Sequence, residues 1–373
     1  MKKPSFYEIL TCVLFCGFIG IMGLGYLLLP KGEFSDLEKR YLEESPELTW
    51  EQVVSGEFGT NLEDYMADHM PGRNFFVGLG AYYDLLMGQQ ATKDVYRAEG
   101  NRLVEKPVIW NQAQAEKNIK YINKLAEKLE VPVDLILVPS AGFILEDSIQ
   151  GIHDAYTDDI IIDAVYAMAN KETVRCLDLT GLYRNVRNPG DLYYRTDHHW
   201  TSYGAYLAYQ SYMQCLGREY LAKDGFTIVN HSGFRGSTYS RSGLWLTPAE
   251  DISLWYGSAL TVTTDNSTHE GAFYLEQLQA SDMYTVFLGG NQSIVRITNP
   301  ANAGKGKLLV IRDSYSNCIG AMLAESYEEV IMVDLRYYHN SVSNIITTEG
   351  IDNVLVMYSI GNFMTDDNFP FLR

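Results

Sequence analysis

The chain has 373 residues, 46% of them hydrophobic, enough for one large domain with an insertion or for two domains, and too apolar for global disorder. A formal net charge of −18 repels phosphate backbones and argues against a nucleic-acid partner. The 27 tyrosines and 31 glycines suit β-structure and loop-rich, carbohydrate-facing surfaces, although core packing explains the same bias.

The first element is an uncharged run from Ile9 to Leu29 behind Lys2 and Lys3. Its 21 residues match the ~20 needed to span a bilayer. Basic residues before the run place the N-terminus in the cytoplasm and the rest of the chain outside, anchored to the cell membrane through residues 9–29. A cleaved signal peptide is the alternative, and the protein is then secreted. The run is long for that and no A-x-A site follows, though Gly23 and Gly25 leave cleavage open. Cys12 and Cys16 fall inside the run. Cys176, Cys215 and Cys318 have no paired spacing and read as buried small hydrophobes.

Residues 1–30 are thus a signal anchor, and 31–110 read as a polar stalk and N-terminal extension. The extension holds a short helix at 62–68, a turn at Pro71-Gly72 and a hairpin-like turn tipped by Gly100. From 111 to 373 the pattern is α/β. Ala115, Ile119, Ile122, Leu125, Ala126 and Leu129 recur at helical spacing between Gln112 and Glu130. The apolar run 133–139 predicts a strand buried on both faces. A helix at 158–170 and a strand at 174–179 follow, then a helix from Thr201 or Ser202 to Leu216, ended by Gly217. Residues 221–300 read as a β-rich insertion with strands in "FTIVN", "SLWYG", "LTVTT" and "MYTVFLGG". Strands at 307–311, 329–335 and 353–359, with helices after 313 and at 341–347, complete a parallel sheet.

Two segments carry chemistry. In "KLLVIRDSYSN" a buried strand ends at Arg312, and Asp313-Ser314 turns into a helix. Ligands of open α/β sheets sit beyond the carboxyl ends of strands, so Ser314 faces a cleft. The free amides of Tyr315 and its neighbours can donate to an oxyanion. Taken alone, Ser314 reads more simply as an ordinary helix cap. The second segment is Asp197-His198-His199-Trp200. A serine needs a base, histidine is the usual one, and the base needs an acceptor that holds its tautomer. Asp197 can supply that acceptor to His199, with Trp200 packed on the imidazole. A solvated polar turn is the plain alternative. Asp-His-His also resembles a motif of manganese phosphoesterases, but His69, His153, His231 and His339 sit in no recognisable metal motif. No metal or other cofactor is expected.

"TDHHWTSYGAY" at 196–206 and "LLVIRDSYSN" at 308–317, with "GFRGSTYSRSG", "FLGGNQS" and "VDLRYY", resemble the DHHW protein family. More distantly, the chain is similar to the SGNH-like proteins of alginate O-acetylation. The resemblance implies an SGNH-like (flavodoxin-like) parallel sheet flanked by helices. It also implies a site with Ser314 as nucleophile, His199 as base and Asp197 as the orienting acid. His198 falls on the variable position. Gly290, Asn291 and Ser140 are candidate oxyanion or lining residues, and Arg195 and Arg241 are candidate substrate contacts, for which structural pairing is the plain alternative. The implied activity is extracytoplasmic O-acyl (acetyl) transfer to a cell-surface polysaccharide, or ester hydrolysis. The implied partner is a membrane-bound O-acyltransferase that supplies the acyl group. The other reading is a non-catalytic, anchored carbohydrate-binding or assembly protein.

Overall fold

A computed structural model of the chain describes residues 5–35, 40–129, 131–265 and 267–373. Lys2 and Lys3 lie outside these residues. The chain packs as two units, one running to Gln89 and including Gly243–Trp245, the other comprising Gln90–Ser242 and Leu246–Arg373.

In the first unit, Phe6–Leu28 is a single helix of 23 residues, long and apolar enough to cross a membrane and with no buried residue. It starts before the apolar run because Ser5 and Glu8 form a reciprocal capping box. Three further helices follow, Trp50–Ser55, Glu57–Asp68 and Arg73–Leu86. The sequence predicts neither the first of these nor the last, the last because Gly78 and Gly80 dilute its helix propensity. Gly78 is required there, since a Cβ would lie 1.8 Å from the Trp245 ring.

The second unit is built on an eight-stranded sheet. Its strands are β1 (Val133–Val138), β2 (Val174–Cys176), β3 (Thr261–Thr264), β4 (Thr268–Glu270), β5 (Ile294–Thr298), β6 (Lys307–Arg312), β7 (Glu329–Asp334) and β8 (Asn353–Ser359). Their order is β4-β3-β5-β7-β6-β8-β1-β2. The five strands from β7 to β2 are parallel. β5, β3 and β4 join the β7 edge antiparallel. Part of the expected insertion therefore extends the main sheet, while Thr227–Phe234 and Glu250–Tyr256 form a separate hairpin.

Alternate residues of the central strands enter different cores. Val310, Met332 and Leu355 pack with helix α3 (Ser202–Leu216) on one face. Leu309, Ile331 and Val354 pack with α1 (Gln112–Lys128), α2 (Asp158–Met168) and α4 (Val342–Glu349) on the other. Burial on both faces explains why these strands read as continuous apolar runs. Two expected strands differ. "MYTVFLGG" forms a 3-10 turn at Met283–Val286, because Leu288, Gly289 and Gly290 all take positive φ and break any extended run. "VRCLDL" stops at Cys176, because Asp178 folds back to accept from the Thr180 amide and hydroxyl and turns the chain into the helix Thr180–Arg184. Cys215 is exposed and Cys176 half-buried, so only Cys318 is the buried cysteine expected.

A small three-stranded sheet at residues 91–105 belongs to the second unit and not with the stalk. Its Arg102 is buried and donates to the carbonyls of Tyr193, Tyr194 and Gly190 at 2.8, 2.9 and 2.7 Å. The Leu103 amide donates to the Arg195 carbonyl at 2.8 Å. These bonds fasten the chain just before the Asp-His-His-Trp segment. Arg102→Ala leaves the three carbonyls without their donor, each costing about 1–3 kcal/mol. We expect a clear fall in Tm by scanning calorimetry, and an Arg102→Lys protein between the two, because one ammonium cannot span all three acceptors.

Candidate active site

The Asp-His-His-Trp segment is a tight loop. Tyr193 and Trp200 form a β-bridge, the Tyr194 amide donates to the His199 carbonyl at 3.2 Å, and the Thr201 amide donates to the Leu192 carbonyl at 2.8 Å. Thr201 then caps α3 by accepting from the Gly204 amide. Inside the loop Asp197 and His199 are buried. The contact between Asp197 Oδ1 and His199 Nδ1 is 2.5 Å, and the His199 amide also donates to Oδ1 at 2.9 Å. On the far side of the ring, His199 Nε2 lies 2.9 Å from Ser314 Oγ. With Nδ1–H given to the carboxylate, Nε2 carries the free lone pair that accepts the serine proton. Residues 115 positions apart thus form one line of hydrogen bonds.

The segment 233–243 completes the acid side. The Ser237 amide donates to Asp197 Oδ2 at 2.6 Å. Gly236 is closer still, for a Cβ there would sit 2.1 Å from the same oxygen. Tyr284 covers the imidazole, its ring stacked on His199 at 3.9 Å between centroids and 8° between planes. Trp200, expected in that place, instead packs edge-on against Tyr315 and donates its indole N–H to the Tyr315 carbonyl at 2.8 Å. Gly236, Ser237 and Tyr284 were missed as site residues. The first two lie in the segment 233–243 that resembles the family, whereas nothing in the sequence around Tyr284 signals its position.

On the serine side, Asp313 is fully buried. Its Oδ1 accepts from the Tyr315 amide at 3.0 Å, and its Oδ2 accepts from the Ser359 amide, the Ser359 hydroxyl and Asn362 Nδ2 at 2.7–2.8 Å. The Tyr315 amide, an expected oxyanion donor, is therefore already committed. Among the described residues no acceptor stands on the Ser314 amide itself, which leaves that donor for an oxyanion.

The other expected residues have structural partners. Ser140 caps the short helix Ala141–Ile144. Gly290 is a turn residue with positive φ, and Asn291 accepts from Asn317 at 3.3 Å. Arg195 pairs with Glu250 at 3.7 Å and Arg241 with Glu105 at 2.6 Å. His198 places Nδ1 2.5 Å from Ser237 Oγ. The donor atoms of Asp197, His198 and His199 lie within 4.8 Å of one another. A cation held there would have to displace the His199–Asp197 hydrogen bond.

The DHHW protein family model matches residues 108–333, more than half of the chain, and the chain belongs to that family. A DHHW family protein from Eubacterium siraeum superposes with a TM-score of 0.64 at 22% identity, over 75% of this chain and 95% of its own. Bacillus cereus PatB1, solved with a sulfonyl adduct, gives 0.63 at 21%, over 75% of this chain and 100% of its own. The O-acetyltransferase domain of Pseudomonas putida AlgJ lies further off, at 0.45 and 14%, over 75% and 95%. No curated protein matches the sequence. At these identities the likeness is one of fold, a mostly parallel α/β sheet flanked by helices.

Burial pushes the Asp197 carboxyl up, but the neighbouring imidazoles of His199 and His198 and the N–H donors outweigh it and hold the group well below 3.8. The unfolded chain therefore binds a proton at higher pH than the native state does. The stability this group confers is complete above about pH 4 and is lost as pH falls through the depressed native value. Asp197→Asn should lie furthest below wild type in Tm at neutral pH. The gap should narrow in melts taken progressively below pH 4.

Proposed function

We propose that the chain is an extracytoplasmic serine O-acyltransferase that moves an acyl group, such as acetyl, onto a cell-surface polysaccharide. The observation that carries this reading is His199 held at both nitrogens, to Asp197 Oδ1 at 2.5 Å and to Ser314 Oγ at 2.9 Å. In the first half-reaction Ser314 Oγ attacks the donor carbonyl carbon while its proton passes to His199 Nε2. The tetrahedral oxyanion sits on the Ser314 amide. Collapse breaks the bond to the leaving oxygen, which takes the proton from His199, and leaves an acyl ester on Ser314. In the second half-reaction a sugar hydroxyl gives its proton to His199 and attacks the ester carbon. Collapse returns that proton to Ser314 Oγ. Asp197 stays ionised throughout and stabilises the imidazolium. Water in place of the sugar makes the same site an esterase.

The apolar helix Phe6–Leu28 suits an anchor that keeps this chemistry outside the cytoplasmic membrane. The acyl donor is then supplied by a membrane-bound O-acyltransferase working from the other side. Capture of a sulfonyl adduct on PatB1 suggests a direct probe here, because sulfonyl fluorides react with activated serines.

The test uses the full chain with a chromogenic acetyl ester and, separately, an aryl sulfonyl fluoride. Wild type should hydrolyse the ester and gain one sulfonyl group by intact mass, mapped to Ser314. Ser314→Ala should lose on the order of 10³-fold or more in rate and take up no label. Equal rates and equal labelling in the two proteins would sink the triad reading and favour a carbohydrate-binding or assembly role.

A further inference from the structure

We infer that the helix Arg73–Leu86, with Met87, is a second membrane element, lying in the lipid leaflet beside the anchor helix with acyl chains covering its exposed face. The inference rests on Phe6–Leu28 being a membrane anchor.

The helix Arg73–Leu86 carries no charge between Asn74 and Tyr83. One side is covered within the unit. Phe75 stacks on Trp245 at 5.6 Å, and Tyr82 meets the same ring edge-on at 5.3 Å. The other side is open, and it is equally apolar. Phe76, Leu79, Tyr83 and Leu86 are 40, 50, 58 and 82% exposed at three- and four-residue steps, with Met87 just beyond. An apolar helix face of this length, free of charge from Asn74 to Tyr83, is either covered by protein or lies in lipid.

Lipid is favoured by what the segment touches. Phe76 packs edge-on against Phe18 of the anchor helix at 6.3 Å between centroids. A Cβ on Gly25 would lie 3.1 Å from Pro71, so the turn between the two helices sits close against the anchor. The stretch from Phe18 to Leu28 rises about 15 Å, roughly half of the ~30 Å hydrocarbon core. The segment therefore runs beside the half of the anchor nearer the folded domain. A groove of about 730 Å³ opens between them, lined by Phe18, Ile19 and Met22 on the anchor and by Met66, Met70 and Phe76 opposite. Acyl chains already surround an anchor helix, so they are what fills a groove along its side. Burying this aromatic and aliphatic face in lipid is favourable by roughly 25 cal/mol per Å².

The full chain is reconstituted into phosphatidylcholine–phosphatidylglycerol vesicles and photolysed with a lipid-soluble aryl diazirine. Labelled residues are located by peptide mass spectrometry. The expected result is label on residues 74–87 and on Met66 or Met70, at a yield per residue within a few-fold of that on 6–28. Label on 6–28 with none on 74–87 overturns the inference and leaves the anchor standing. Label on neither segment overturns both. The same labelling is run on native membranes, where loss of label from 74–87 alone would show that a protein partner, and not lipid, covers the face in the cell. Esterase activity and sulfonyl labelling at Ser314 are read on the same sample, so failure here is distinguishable from failure of the proposed chemistry.

Discussion

A buried carboxylate has to be satisfied on every side, and Asp197 imposes that demand on the whole candidate site. Charge removed from water costs several kcal/mol unless partners replace the lost solvation. Here the replacements come from the His199 ring, the His199 amide and the Ser237 amide. The first two require a loop that turns back on itself within two residues. The third requires a second loop to approach so closely that only glycine fits at position 236. The arrangement that solvates Asp197 is the same one that aims His199 Nε2 at Ser314.

The serine side repeats the device with a second buried carboxylate. Asp313 ties the turn after β6 to Ser359 and Asn362 at the end of the neighbouring β8. Glu250 does similar work for the histidine loop, accepting from the Arg195 and Thr196 amides and from the Thr196 hydroxyl. Three acids thus convert loops, which are ordinarily the mobile parts of an α/β fold, into fixed supports. Arg102 adds a cation that clamps the carbonyls leading into the histidine loop. Such preorganisation suits a reaction in which charge develops on the imidazole and on the substrate oxygen, because no dipole has to reorient as that happens.

Tyr284 plays a different part. It brings no charge, but its flat contact with His199 shields the face of the imidazole from water and restricts its rotation. It sits where three consecutive residues of positive φ turn the chain back towards β5. The turn that removes a strand from the sequence reading is what delivers this ring to the site.

Much of the fold was legible in the sequence because its signals are local. Strands buried on both faces must be continuously apolar, helices must repeat at 3.6, and the N-terminal run is long enough to span a bilayer. The pairing of Asp197 with His199 was legible for the same reason, since two residues on one loop cannot lie far apart. Ser314 at the end of a buried strand was also readable, because parallel sheets present their carboxyl ends to ligands. What the tertiary structure alone decided is contact between segments distant along the chain. Only the packing of α3 and the site loops over the edge of β6 places Ser314 within 2.9 Å of His199, brings Gly236 and Ser237 against Asp197, and lays Tyr284 on the imidazole. Only the side-chain bonds of Asp313 show that the Tyr315 amide is taken, and only ion pairing with Glu250 and Glu105 accounts for Arg195 and Arg241. Chain spacing determines neighbours within a turn or a strand; the order in which strands join a sheet determines every neighbour beyond that.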